Sequence, residues 1–467
     1  MSELPVGWLA LKLGDVVDYA SNTTVQPDAM QPDAWLLELE DIERDSSRLI
    51  NRATVAERKP LSAKNAFQAG DVLYGKLRPY LNKVLRADKS GYCSSEIIPI
   101  APGQIDGGYL FHYLRSPYFL EYVRAVTHGV RMPRLGTNQA KEAPFPLAPL
   151  GEQKRIAQKL DALLAQVDAL KARIDAIPAL LQKFRRATLS AATNGNLTQG
   201  WRECVDLSAK ETADQYIARI EGERRHSPRT KFKLPVAPDT ETRTPEIPAS
   251  WALCSVSAFA ECLDNMRVPV KKELRSREGG AYPYFGANGE VDRVDDFIFD
   301  DDLVLVTEDE TFYGRTKPIA YKFSGKCWVN NHVHVLRAHD VIGQSFLCYT
   351  LMHYDVIPWL TGTTGRAKLT QGALMALPIG VPPPDEQAEI VRRIEQLFAL
   401  ADQLEARVSA AQQRIDTLTQ SLLAKAFRGE LVPQDPIDEP ASALLERISA
   451  QNTAATKPKR GRTSAMS

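Results

Sequence analysis

The 467-residue chain states one frame twice, and this repeat limits its architecture more than any other feature of the sequence. Leu4-Pro5-Val6-Gly7-Trp8 returns as Ile247-Pro248-Ala249-Ser250-Trp251, and PLAPLGEQKRI (146–156) returns as IGVPPPDEQAEI (379–390). The pairs Glu152-Gln153 and Glu386-Gln387 lie 234 positions apart, and the same offset carries Asn194-Gly195-Asn196-Leu197 onto Arg428-Gly429-Glu430-Leu431. Each Glu-Gln opens an apolar series stepping by four and three. The first runs Ile156, Leu160, Leu163, Val167, Leu170, Ile174, Ile177, Leu181, Phe184, and the second Ile390, Ile394, Leu397, Ala401, Leu404, Val408, Ala411, Ile415, Leu418, Leu422. So narrow a stripe is a seam wanting a partner helix. Two seams of equal register in one chain pack most economically on each other, which predicts an intramolecular antiparallel coiled coil. Pro149 and Pro382 to Pro384 stand where a prolyl ring breaks no helical bond, and Gly195 and Gly429 fit as C-terminal stops. Pro178 falls inside the first stripe and predicts a kink.

Two segments that differ in detail lie between the repeated frames, Leu9 to Ala143 and Ala252 to Leu377, and both read as α/β. WLLELEDIE (35–43), DVLYGKL (71–77) and EIIPIA (96–101) predict strands in the first, with a helix over Tyr109 to Val126. LVLVTE (303–308), IAYKF (319–323) and WVNNHVHVL (328–336) predict strands in the second, with a helix from Val341 to Ile357. A short amphipathic piece follows each long helix (216–220 and 444–448), and then a basic stretch (Arg224 to Lys233, and KPKRGR at 457–462) that reads as solvated linker or tail. A duplicated frame with two divergent inserts is the layout of a bivalent reader.

With 44% apolar residues and 8% aromatics the chain is rich enough in core-forming residues to exclude wholesale disorder. Six cysteines without a CxxC pair argue against a zinc ribbon or a secreted disulfide framework. No apolar run is long enough to span a bilayer, and the opening residues lack the layout of a signal peptide, so a cytoplasmic protein without membrane contact is expected. Lysines plus arginines equal aspartates plus glutamates at 58 each, but the balance is uneven: 0 over residues 1–150, +6 over 151–234, −5 over 235–384 and −1 over 385–467. The diffuse basic coat of a non-specific nucleic-acid binder is absent.

Catalytic constellations are missing. There is no GxxxxGK[ST] phosphate loop, no glycine-rich turn for S-adenosylmethionine and no (N/D)PP(Y/F/W) sequence, since Pro382 to Pro384 lead into Asp385. His332, His334 and His339 read as sheet-face residues rather than metal ligands, and Glu152-Gln153-Lys154 reads as a helix entry, its carboxylate complementing the macrodipole. The loops ahead of the two helices carry side chains that grip phosphates and read base edges: Arg131, Arg134, Thr137, Asn138, Gln139 and Lys141 in the first copy, and Thr363, Thr364, Arg366, Lys368, Thr370 and Gln371 in the second. A basic-aromatic group, Tyr74, Lys76, Arg78 and Tyr80, joins the first set. Tyr282, Tyr284, Asn288, Arg315, Lys317, Asn330 and Asn331 are its looser equivalents. Because Trp8 to Glu152 spans 144 positions and Trp251 to Glu386 spans 135, loop equivalences between the copies are approximate.

The helical frames, together with RRATLSAATNGNLTQGWR (185–202), LTQSLLAKAFRGEL (418–431), GDVLYGKLRP (70–79) and YFGANGEVDRVDDFIFDDD (284–302), resemble the specificity subunits of Type I restriction-modification systems over nearly the whole chain. The resemblance implies two target-recognition domains (1–150 and 247–384), a central helical spacer (151–193), a connector with a short helix (194–246), a second long helix (385–428) and a C-terminal short helix with a basic tail (429–467). It implies a chain without catalytic residues, cofactor or metal that reads both halves of an interrupted double-stranded DNA target. It directs adenine methylation by modification subunits, two per chain, and ATP-dependent cleavage by restriction subunits. S-adenosylmethionine, ATP and magnesium would act on those partners. A helix from Ile156 to Phe184 would run roughly 43 Å, little more than one turn of duplex, so the coiled coil is expected to act as a ruler between half-sites. Methylation requires the adenine to be flipped out, so the recognition domains would grip flanking bases while the partners receive it. Two other classes compete with this reading: a stand-alone methyltransferase or nuclease, which the missing signatures disfavour, and a coiled-coil scaffold without DNA readout.

Overall fold

In a computed structural model the structure describes residues 4–127, 131–206, 209–227, 232–271, 280–309, 312–362 and 367–456, the side chains of 452–456 excepted. The chain divides into two units, one made of 1–175 with 409–467 and the other of 176–408.

In the first unit both ends of the recognition segment are zipped together: Leu9–Lys12 pairs antiparallel with Pro144–Leu147. Within that closure lie a five-stranded sheet, in the order Thr24–Val25, Lys64–Phe67, Gly91–Cys93, Trp35–Leu37, Ala53–Thr54, and a three-stranded sheet with Val72–Gly75 between Val84–Arg86 and Ile97–Ile100. The predicted single helix is two, Gly107–Leu114 and Pro117–Val126, because Ser116 and Pro117 supply an N-cap and a proline first position in mid-segment. The helix Leu150–Asp175 leaves the zipped strands directly and lies antiparallel to residues 409–427. Lys171 Nζ meets Asp416 at 2.8 Å and Gln412 Nε2 donates to Asp175 at 2.7 Å, one number falling as the other rises. Ile156, Leu160, Phe427, Leu444 and Ile448 share one core with Tyr109, Tyr113 and Phe145. The C-terminal helix Ala441–Thr456 is therefore part of this unit's interior rather than an appendage.

The second unit repeats the plan. Ala252–Ser255 pairs antiparallel with Pro378–Val381, closing a six-stranded sheet in the order Ala260–Cys262, Val333–Ala338, Phe299–Thr307, Ala320–Val329, Tyr282–Gly286, Gly289–Val294. The predicted strand over 328–336 is the end of one strand and the start of another, turned at residues 330–332, where Asn330 Oδ1 accepts from the His332 amide. The helix Val341–Met352 covers this sheet. The first part of the helix Pro384–Phe427 lies antiparallel to Ile177–Thr193, with Arg185 donating to Asp402 at 2.6 Å and Glu405 at 2.9 Å, and Arg393 to the Leu197 carbonyl at 2.6 Å. The connector helix Ala213–His226 packs Tyr216 and Ile220 into this core. Arg224, read from sequence as the start of a solvated linker, donates to the Ser257 and Ala258 carbonyls, while 228–231 and 457–467 lie outside the described residues.

The helix is interrupted where Pro178 predicts: one helix ends at Asp175, the next begins at Ile177, and Pro178 occupies its first turn, where a missing N–H costs nothing. Ile156, Leu160, Val167, Ile390, Ile394, Ala401, Val408 and Ile415 are buried as the stripes predict, whereas Leu170, Leu404 and Leu418 are exposed. The Glu-Gln pairs do more than complement a dipole. Gln153 donates to the Ala148 carbonyl and Gln387 to that of Pro382, locking each helix to the strand before it. Glu152 accepts from the Trp8 indole at 2.9 Å, and Glu386 from Thr198 and Arg202.

Candidate nucleic-acid interface

In the first unit the strand Val72–Gly75 runs on into Lys76 and Arg78, and two other segments bond to that extension. The Lys76 amide donates to the Glu96 carbonyl at 2.9 Å, the Leu135 amide to the Lys76 carbonyl at 3.0 Å, and the Arg78 amide to the Pro133 carbonyl at 2.8 Å. Leu77 and Arg134 form a bridge. These bonds bring Lys76 and Arg78 beside Arg131 and Arg134, two groups separate in sequence. Arg134 Nε lies 3.2 and 3.1 Å from the two Glu96 oxygens while half its side chain stays in solvent. Arg78 holds a left-handed backbone at φ 49° and leads the turn Pro79–Leu81, so its side chain and that of Tyr80 are exposed.

Some expectations fail here. Tyr74 is a core residue, its ring edge-on to Phe119 at 5.5 Å, because its strand is buried on both faces, with Val72 and Tyr74 in one core and Leu73 in another. Burial pushes its phenol well above the ordinary range. Gln139 is spent on its own loop, accepting from the Gly136 amide and donating to the Val126 carbonyl. Thr137 and Asn138 are exposed in the short helix Thr137–Lys141, and Lys141 approaches Asp18 at 3.9 Å.

The second unit builds the same junction. The strand Phe299–Thr307 continues into Glu308 and Asp309. The Glu308 amide donates to the His332 carbonyl at 3.1 Å, the Leu369 amide to the Glu308 carbonyl at 2.8 Å, and Asp309 bridges Lys368. Lys368 Nζ rests on the Glu308 carboxylate at 2.8 Å, and His332 Nδ1 on Asp309 at 2.7 Å. Asn288, on the two-residue hairpin turn before Gly289, lines one concavity with Asp309, Asn330 and His332. Asn331 is exposed on the adjoining turn. Asn330 itself is buried, and Tyr284 sits in the sheet interior with its hydroxyl accepting from the Val270 amide, so neither side chain is a free reader. Tyr282 is half-buried against Phe297. Thr370 caps the helix Gln371–Ala376, and Gln371 reaches Cys262. Arg315 folds onto the Lys317 and Pro318 carbonyls, and with Lys317 it lines a different cleft, beside Arg186, Arg243 and His353. Thr363, Thr364 and Arg366 lie outside the described residues.

Beneath this junction is an ion network that sequence reading missed. Arg267 donates to Glu308 at 2.5 Å and lies 3.2 Å from Asp264, and His334 meets Asp264 at 2.5 Å and the Leu369 carbonyl at 2.8 Å. Burial opposes ionisation of both carboxyls. His334 nevertheless holds Asp264, and Lys368 with Arg267 hold Glu308, below the usual carboxylate range. Asp264, Glu308 and His334 come close enough for a metal, but both imidazole nitrogens are engaged and two cations already lie on the carboxylates. The histidines do not converge, His332 bonding Asp309 and His339 bonding Glu223.

The model of the Type I restriction modification DNA specificity domain matches residues 5–179 and again 248–411, once across each recognition segment and the helix that follows it. The chain belongs to this family. Among specificity subunits of Type I restriction enzymes, it is 27% identical to EcoDI of Escherichia coli over 98% of both chains. To EcoKI of E. coli K12 it is 30% identical over 77% of this chain and 74% of that one, and to StySPI of Salmonella potsdam 30% over 74% and 72%. The fold of this chain is shared by a chain from a structural study of the assembly and conformational transition of the type I R-M system (TM-score 0.63, 19% identity, 92% of this chain and 100% of that). It is shared too by the crystal structure of the HsdS subunit of Thermoanaerobacter tengcongensis (TM-score 0.51, 21% identity, 92% and 98%). In both units the polar side chains gather at the junctions. Glu96, Glu308, Asp309 and Arg267 belong to them although no sequence motif marks them.

Proposed function

We propose that this chain is the DNA-reading subunit of a Type I restriction-modification complex, each unit reading one half of an interrupted target. The observation that carries this reading is the recurrence of one backbone junction with different side chains on it: Lys76, Glu96 and Arg134 in one unit, and Glu308, His332 and Lys368 in the other. A fixed scaffold with exchanged polar groups is what two different half-sites require. The chain itself is non-catalytic in this reading. It directs adenine methylation by two modification subunits that bind S-adenosylmethionine, and restriction subunits using ATP and magnesium cleave. Exposed apolar residues on the helices, Leu170 and Leu418 in the first unit and Leu180, Leu400 and Leu404 in the second, support docking of those partners. The test is methyl incorporation into DNA in vitro. The purified chain alone transfers none, and adding its host's modification subunits gives site-specific transfer. Arg134→Ala then weakens DNA binding by about tenfold at fixed salt with an unchanged melting curve. Transfer by the chain alone, or undiminished binding by the variant, contradicts the reading.

A further inference from the structure

The two junctions correspond position by position, although the segments around them do not. Leu135 and Leu369 make the same backbone bond, to Lys76 and Glu308, and lie 234 positions apart, the offset of the Glu-Gln pairs. Arg134 and Lys368 share that offset. Through the next bond, Glu96 answers to His332. The backbone is common, and the order of charge along it is not.

One property survives the exchange. Each unit presents a cation about half exposed, Arg134 at 52% and Lys368 at 48%, whose charged end rests on a more deeply set carboxylate, Glu96 at 26% or Glu308 at 8%. The carboxylates come from different positions, the flanking segment in one unit and the central one in the other. Two divergent copies thus keep the same arrangement. A long cationic side chain loses rotamer freedom on binding unless a partner has already ordered it. In the second unit that partner is itself fixed from below, since Arg267 bonds both Glu308 and the Val333 carbonyl.

We infer that Glu96 and Glu308 are positioning residues, each holding the cation of its own unit in the orientation in which it meets DNA, so that each carboxylate governs discrimination at one half-site. This rests on the function proposed above. The experiment is competition binding by the full chain in complex with its modification subunits, using duplexes substituted in one half-site at a time, for wild type, Glu96→Gln and Glu308→Gln. Each variant is expected to lose on the order of tenfold of its discrimination at one half-site, a different one for each, and to keep it at the other. A merely structural loss would lower binding to all duplexes alike and leave the ratios unchanged. Because Glu308→Gln touches a buried network, Lys368→Ala and Arg134→Ala serve as second variants. They should reproduce the one-sided loss, and combining each with its carboxylate variant should add nothing further. Unchanged ratios, or equal loss at both half-sites, overturn the inference. A wild-type complex without half-site preference overturns the proposed function along with it, and the wild-type arm tells the two failures apart.

Discussion

Tyr74 and Glu308 show how far burial decides what a residue can do. The Tyr74 hydroxyl has no hydrogen-bond partner among the described residues. Removing a buried unsatisfied polar group relieves a desolvation cost of about 1 to 3 kcal/mol, so Tyr74→Phe should bind DNA as wild type and melt no lower. A weakened variant would return Tyr74 to the interface. Glu308 and Asp264 have the opposite character, ionised in the interior because cations and a histidine face them. Their carboxyls titrate lower in the folded chain than in the unfolded one, where carboxyls titrate near 4. Their stabilisation is therefore complete above about pH 5 and drains away as the pH falls through 4 and below. Urea midpoints for the second unit should drop over that range, and drop less in Glu308→Gln. Parallel curves for the two proteins would contradict the assignment.

At the scale of elements, each glycine that ends a helical segment abuts the proline of a repeated frame. Gly429, at φ 74°, faces Pro5, and Gly195, at φ 78°, faces Pro248; a Cβ at either would overlap the prolyl Cγ. Gly429→Ala and Gly195→Ala should each cost at least about 1 kcal/mol, read as a lowered melting temperature, and a gain would contradict the packing. The helices and the frame were legible in the sequence because a seam of period 3.5 and a Pro-to-Gly grammar are local signals, and the buried positions Ile156, Leu160, Ile390 and Ile394 follow them. The hairpin of Tyr282–Gly286 with Gly289–Val294 was not read although Asn288-Gly289 marks its turn, and the strand over 328–336 was merged with its neighbour because only Asn330, Asn331 and His332 separate the two. The junctions were illegible for a deeper reason. They are made by backbone bonds between loops far apart in sequence, which leave no mark on side-chain pattern. Their one signal was the 234-residue offset, which persists as far back as Arg134 and Lys368 despite the unequal lengths of the two frames.

Across the whole molecule, the second unit is one continuous stretch of chain and the first is not. The first takes its last helix from the C-terminus: Ala441, Leu444 and Ile448 are buried against the core of residues 8–164, and the Ala441 amide bonds the Gly7 carbonyl. Losing such a face costs about 2 to 5 kcal/mol per large side chain, so a chain ending at Pro440 should lose the first unit's melting transition while keeping the second's. A shift of both, or of neither, would contradict the division. The claim that matters most is that two such junctions read two half-sites. It is tested most directly by single-molecule methylation mapping of DNA from cells expressing this chain with its host's modification subunits, against cells expressing either alone. A bipartite adenine-methylated motif is expected only when both are present; methylation by the modification subunits alone, or none under any condition, would contradict two-junction readout.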